Sequence, residues 1–257
     1  MKKNSILKLV GALLALALLG GLFFIYGILP GKVAQSIVAK GQVHKPLDRS
    51  PKDDGFRYQD VSFMTEDKVA ISGWWMPSQS KKALGTVLLS HGVFKNRVQV
   101  LNRAEFLVKN GYQVLLFDHR GNGLSGESPV SGGLLEAKDY LAGVSYLQYK
   151  KELKKPLVFF GFSLGAMSAL RAATQTPEVD AVIADGPLAN IRSYVSRRTI
   201  GGSFSFLPGF LSRCLSEYDS ATGLALTVDD MDMVPVVEQL QDKPVLYITG
   251  EGDDLAK

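Results

Sequence analysis

Between Leu9 and Leu29 the chain carries no charged residue. That run, roughly 20 residues long, matches a helix that crosses a bilayer. Lys2, Lys3 and Lys8 precede it, whereas Lys32 and Lys40 follow more sparsely. The positive-inside rule then predicts a single-pass cell-membrane protein with its N-terminus in the cytoplasm and the remainder outside. A cleaved signal peptide has a shorter apolar core, about 7–15 residues, ending at a small-x-small site. Only Ala34-Gln35-Ser36 comes near such a site, so the pattern favours an uncleaved anchor over residues 1–30. Residues 31–55 turn polar, with Pro46, Pro51 and the turn signal Lys52-Asp53-Asp54-Gly55, and read as a linker with room for a helical start.

From Phe56 onward two periodicities alternate. Arg57 to Phe63 and Val69 to Met76 have strand character and are joined by the turn Thr65-Glu66-Asp67-Lys68, which predicts an antiparallel pair. Thr86 to Ser90, Gln113 to Phe117, Leu157 to Phe160, Ala181 to Ala184 and Val245 to Thr249 are short apolar runs suited to buried strands. Helical spacing lies between them, over Asn102 to Lys109 (stopped by Asn110-Gly111) and over Leu134 to Tyr149. Strands that alternate with helices predict a mostly parallel sheet with helices on both faces and ligands beyond the strands' C-terminal ends. Residues 188–240 are too long for one crossover. They hold Gly201-Gly202, Pro208-Gly209 and several aromatics, and read as a cap over the site.

Composition narrows the chemistry. The 257 residues are 46% hydrophobic with a net charge of +4, enough for one domain with a sizeable core plus an appendage. The basic residues form no run interleaved with aromatics, so no nucleic-acid partner is indicated. The one cysteine, Cys214, forms no intrachain disulfide and has no metal-ligand spacing around it. The histidines are His44, His91 and His119.

The most specific motif is Gly161-Phe162-Ser163-Leu164-Gly165, a G-x-S-x-G sequence between the apolar run 157–160 and the small-residue helical stretch 166–173. A strand that turns sharply into a helix holds a serine hydroxyl exposed at the sheet edge and aims the helix N-terminus at developing negative charge, so Ser163 is the candidate nucleophile. Ser90-His91-Gly92-Val93 ends another predicted strand. There a glycine lets the chain turn, so that the N–H groups of Val93 and Leu164 can form an oxyanion hole. His91 precedes the turn and suits a structural hydrogen bond better than a base. Asp118 to Gly126 is a glycine-rich polar loop without the lysine of a phosphate-binding loop, and His119 reads as a loop or edge residue.

Ser90-His91-Gly92, Gly111-Tyr112, the 118–126 stretch, the elbow at 161–165 and Gly250-Glu251-Gly252-Asp253 occur in the order found in the α/β-hydrolase fold. Together they resemble its serine aminopeptidase-like, membrane-anchored branch across most of residues 56–257. The resemblance implies a serine hydrolase acting on a small-molecule or lipid-like ester or amide, with no metal or organic cofactor. It places the triad acid at Asp253, with Asp254 and Asp185 as alternatives, to hold the base imidazole in the right tautomer. It also implies a base histidine after the acid. This sequence has no histidine after His119, so the family's last strand, base loop and closing helix are expected to be missing from it. Little turnover is then expected of these 257 residues. The alternative is a catalytically inactive, membrane-tethered module of the same fold.

Overall fold

The computed structural model describes residues 3–40, 44, 46–189, 209–227, 229–240 and 242–250. It opens on a long helix, α1 (Lys3–Phe23), which passes through a π turn (Phe24–Ile28) into α2 (Leu29–Lys40). The helix therefore runs well into the stretch read as linker. The π turn has a local cause. Pro30 lacks the N–H that an α-helix would direct at the Tyr26 carbonyl, and the ladder shifts so that Leu29 N–H reaches the Phe24 carbonyl instead. The apolar side chains of α1 are solvent-facing, with Leu14 and Leu18 each 66% exposed. Residues 8–37 are long and apolar enough to cross a membrane.

The described strands are β1 (Gln59–Met64), β2 (Ala70–Met76), β3 (Thr86–Ser90), β4 (Gln113–Phe117), β5 (Leu157–Phe162), β6 (Ala181–Asp185) and β7 (Val245–Ile248). They form one sheet in the order β1-β2-β4-β3-β5-β6-β7, parallel from β4 to β7, with the β1-β2 hairpin antiparallel at one side. The predicted strands, the hairpin and the α/β class are thus present. Central strands β3 and β4 are buried at every position because helices cover both of their faces, whereas β1 alternates, turning Val61 and Phe63 inward.

Helix α3 (Leu101–Lys109) lies on one face, where Val100, Leu101, Ala104 and Val108 pack with Val87, Leu89, Val114 and Leu116. Helices α4 (Ala137–Tyr149) and α5 (Leu164–Thr174) lie on the other, over Leu88, Leu115, Phe117 and Phe159. Helix α4 starts later than its periodicity predicts. The Glu136 carboxylate accepts hydrogen bonds from Ser131 and Gly133 and holds residues 131–136 in turns. Within 188–240 the described residues form α6 (Phe210–Thr222) and the short α7 (Val234–Glu238).

These connections create a crevice. The chain leaves β3 toward α3 on one face and leaves its neighbour β5 toward α5 on the other. Strand order reverses at that point, which is where open α/β sheets bind ligands.

Candidate active site

Ser163 stands at the tip of the turn between β5 and α5, with φ 54° and ψ −112°, a conformation that L-residues rarely adopt. Its amide donates to the Asp185 carbonyl at 2.8 Å, and its carbonyl accepts from Ala166 and Met167 N–H, so both neighbouring elements pin the turn. Such strain persists only where surrounding structure over-determines it. The side chain is half-buried.

The flanking glycines are steric requirements. A Cβ on Gly161 would lie 2.0 Å from the Gly165 carbonyl oxygen, and one on Gly165 would lie 2.5 Å from Ser90 Oγ and 2.8 Å from the carbonyl oxygens of Ser90 and His91. The last two contacts are backbone, which cannot swing away. Gly165→Ala is expected to cost about 3 kcal/mol, the upper end of overpacking penalties, and to shift the elbow off Ser90. Equilibrium urea unfolding of the variant against wild type measures the loss.

The turn after β3 lies against the elbow. A Cβ on Gly92 would sit 3.3 Å from the Ser163 Cβ, and Gly92 N–H donates to Gln99 Oε1 at 2.9 Å. The half-buried Val93 follows directly. Leu164 is the first residue of α5, so its N–H lacks an intrahelical acceptor. The Tyr140 hydroxyl braces both strand ends from below. It donates to the Phe160 carbonyl at 2.6 Å and accepts from the Ser90 hydroxyl at 2.7 Å.

The three histidines are engaged elsewhere, and none hydrogen-bonds to Ser163. His44 Nδ1 lies 3.0 Å from the Gly123 carbonyl oxygen. His119 lies in the loop after β4, as its sequence context predicts, and there it is fully buried, with Nδ1 3.2 Å from Asp139 Oδ2. Asp139, on α4, also takes Arg120 Nε at 2.8 Å, and Arg120 reaches on to Asp67. Contact with the Arg120 guanidinium holds the Asp67 carboxyl well below its usual range. No periodicity signals this network, because its members lie far apart in sequence.

His91 is buried and accepts the His119 N–H on Nε2 at 3.0 Å, which places its proton on Nδ1, 2.7 Å from the Gly92 carbonyl oxygen. The ring thus holds the turn after β3 through the Gly92 carbonyl. Burial, reinforced by the neighbouring His119, lowers its pKa from 6.5 to about 4. The folded state therefore resists a proton that the unfolded chain accepts. The His91 contribution leaves stability unchanged above pH 6.5 and lowers it between pH 6.5 and 4, by on the order of 3 kcal/mol at the lower end. Unfolding midpoints across that window are expected to flatten in His91→Gln.

Asp185, an alternative acid, is taken by Arg103, whose Nε and Nη2 donate to Asp185 Oδ2 at 3.0 and 2.6 Å. Asp253 and Asp254 lie outside the described residues. A cavity of about 300 Å³ lies beside β7, lined by Leu170, Leu188, Met233, Val237 and Tyr247. Ser163 does not line it. Among the described residues no cluster of metal-ligating side chains occurs.

A strained serine between strand and helix, a glycine turn against it and a switch point at the sheet centre define an α/β-hydrolase fold. The profile of the serine aminopeptidase S33 family matches residues 81–249, and the chain belongs to that family. It is 31% identical to the Pyrococcus furiosus esterase Pf2001, with a TM-score of 0.64 over 81% of this chain and 76% of that one. It is 25% identical to the Escherichia coli O157:H7 protein YfhR over 65% of this chain and 60% of YfhR. It is 29% identical to the Mycobacterium tuberculosis protein Rv2307c over 77% of this chain and 62% of that protein. The matches thus span about three fifths of the curated relatives' length.

Proposed function

We propose that this chain is a membrane-anchored serine hydrolase of esters or amides. The observation that carries the reading is the strained Ser163 at the switch point, in contact with the Gly92 turn. Ser163 Oγ attacks the substrate carbonyl and passes its proton to a base. The N–H groups of Val93 and Leu164 receive the oxyanion, and collapse of the tetrahedral intermediate expels the alcohol or amine, which takes up that proton. Water then releases the acid from the acyl-serine. Asp253 orients the base imidazole.

That base is none of the three histidines: His91 and His119 are buried and held by other partners, and His44 is held through Nδ1 at the Gly123 carbonyl, with no hydrogen bond to Ser163 among the described residues. Residues 1–257 alone are therefore expected to turn over little substrate. Residues 1–30 act as anchor, 31–55 as linker and 56–257 as the hydrolase domain, with 188–240 as its cap. The charge asymmetry around the span supports a cytoplasmic N-terminus and a hydrolase domain on the other side.

The test is hydrolysis of p-nitrophenyl acyl esters by the chain extended past Asp253 with the strand, histidine loop and helix that the resemblance implies. Turnover that disappears in Ser163→Ala supports the reading. Turnover that survives Ser163→Ala removes it.

A further inference from the structure

The membrane-leaving end of the N-terminal helix does not stand free of the hydrolase domain. Helix α6 packs along α2, and the contacts fix how the two are aligned. Arg213, near the start of α6, donates from Nη1 to the Tyr26 carbonyl at 2.7 Å. That carbonyl is the one Pro30 leaves without its α-helical donor. One turn further along α6, Glu217 faces Gly31, where a Cβ would lie 3.6 Å from its carboxylate. The next α6 residue, Tyr218, is buried in one cluster with Ala34. Numbers rise together on both helices, so α6 and α2 run parallel. The small residues Gly31 and Ala34 permit the close approach.

This register carries a depth. The strongly apolar run ends at Leu29, ahead of Pro30, Gly31 and the charged Lys32, and a span from Leu9 to there is about 31 Å long, the thickness of a bilayer's hydrocarbon core. Tyr26 puts an amphipathic ring near its end, where Tyr and Trp belts sit at the interface. Tyr26 thus marks the boundary, and Arg213 is level with it. Charge along α6 follows the same axis: Arg213 lies at the boundary end, whereas Glu217 and Asp219 lie farther along. Tyr218 also donates to the Val130 carbonyl, and Arg171 of α5 donates to the Asp230 and Asp232 carbonyls, so the same segment is tied to the hydrolase core.

We propose that the first turn of α6, with Arg213, lies in the lipid headgroup layer and that α6 rises from it away from the bilayer. This inference rests on the membrane-anchor reading above. It makes α6 a membrane-surface element and gives the hydrolase an interface with lipid beyond its span. It also suits the site to amphiphilic esters or amides held in the leaflet.

Ser212, Ser216 and Ser220 are exposed and lie one turn apart, rising about 6 Å per step, so they form a ruler. The full chain, with Cys214→Ala, is reconstituted in phosphatidylcholine–phosphatidylglycerol vesicles that contain a headgroup spin-labelled lipid. Single cysteines at 212, 216, 220, 14 and 149 carry a fluorophore. Strong quenching at Ser212→Cys, falling several-fold through Ser216→Cys to Ser220→Cys, with none at Tyr149→Cys on the far edge of the domain, is the expected result. A flat or reversed profile, with Leu14→Cys quenched by an acyl-chain spin label, overturns this proposal and leaves the anchor standing. No quenching at Leu14→Cys from the acyl-chain label overturns the anchor reading and this inference with it.

Discussion

Asp118→Ala is expected to destabilise the protein by about 3–5 kcal/mol, enough to remove much of a typical domain's stability. Asp118 and Arg97 are both buried, and Arg97 Nη2 donates to Asp118 Oδ2 at 2.7 Å. The same carboxylate accepts Arg97 N–H at 2.7 Å and Leu124 N–H at 2.9 Å, tying the turn after β3 to the loop after β4. The guanidinium stacks on Trp74 with its Cζ 4.9 Å from the ring centroid, and among the described residues its only other hydrogen bond goes to Ser72 Oγ. Its Nε and Nη1 are already buried without a hydrogen-bond partner among the described residues.

Removing the carboxylate therefore leaves a buried cation with one neutral acceptor, which costs more than the pair contributes. Urea unfolding followed by tryptophan fluorescence measures the loss. A double variant, Arg97→Met with Asp118→Leu, is expected to recover more than half of it, because an apolar pair removes the stranded charge. An Asp118→Ala variant as stable as wild type would show that water reaches the guanidinium and that the pair does not hold the site loops.

Much of this architecture is legible in the sequence where the signal is local. The short apolar runs at 86–90, 113–117 and 157–160 become central strands buried on both faces, which need no alternation, whereas the runs at 181–184 and 245–249 pair beyond them as β6, which alternates, and β7, which lies exposed at the end of the described sheet. The elbow is legible because its strand, glycines and helix are contiguous. Partnerships across long sequence separations are not legible. Tyr140 reaches Ser90 and Phe160, and Asp139 collects His119 and Arg120, but helix α4 shows only its apolar stripe in the sequence. His119 looks like a loop or edge residue because its loop is polar. It is buried because α4 supplies a carboxylate for it. The helix through Pro30 is equally hidden, since a proline ordinarily ends a helix, and here Arg213 from a distant segment takes the freed carbonyl.

The second large effect is chemical. In a Ser-His-Asp system, loss of the base lowers kcat by about 10⁶, because the serine hydroxyl keeps its proton at neutral pH. Ser163 has the strained elbow and the glycine turn, yet His91 is fixed by the Gly92 and His119 backbones, and His119 by Asp139. Neither is free to take the Ser163 proton. A strained serine elbow is therefore not by itself an active nucleophile. Reaction with a fluorophosphonate probe, read by mass spectrometry at Ser163, measures the serine's reactivity directly. Residues 1–257 are expected to label near the detection floor, and the chain extended with a histidine-bearing strand and loop is expected to label strongly at Ser163. Strong labelling of residues 1–257 that is lost in Ser163→Ala and also in His91→Ala or His119→Ala would contradict the account and make one of those buried histidines the base.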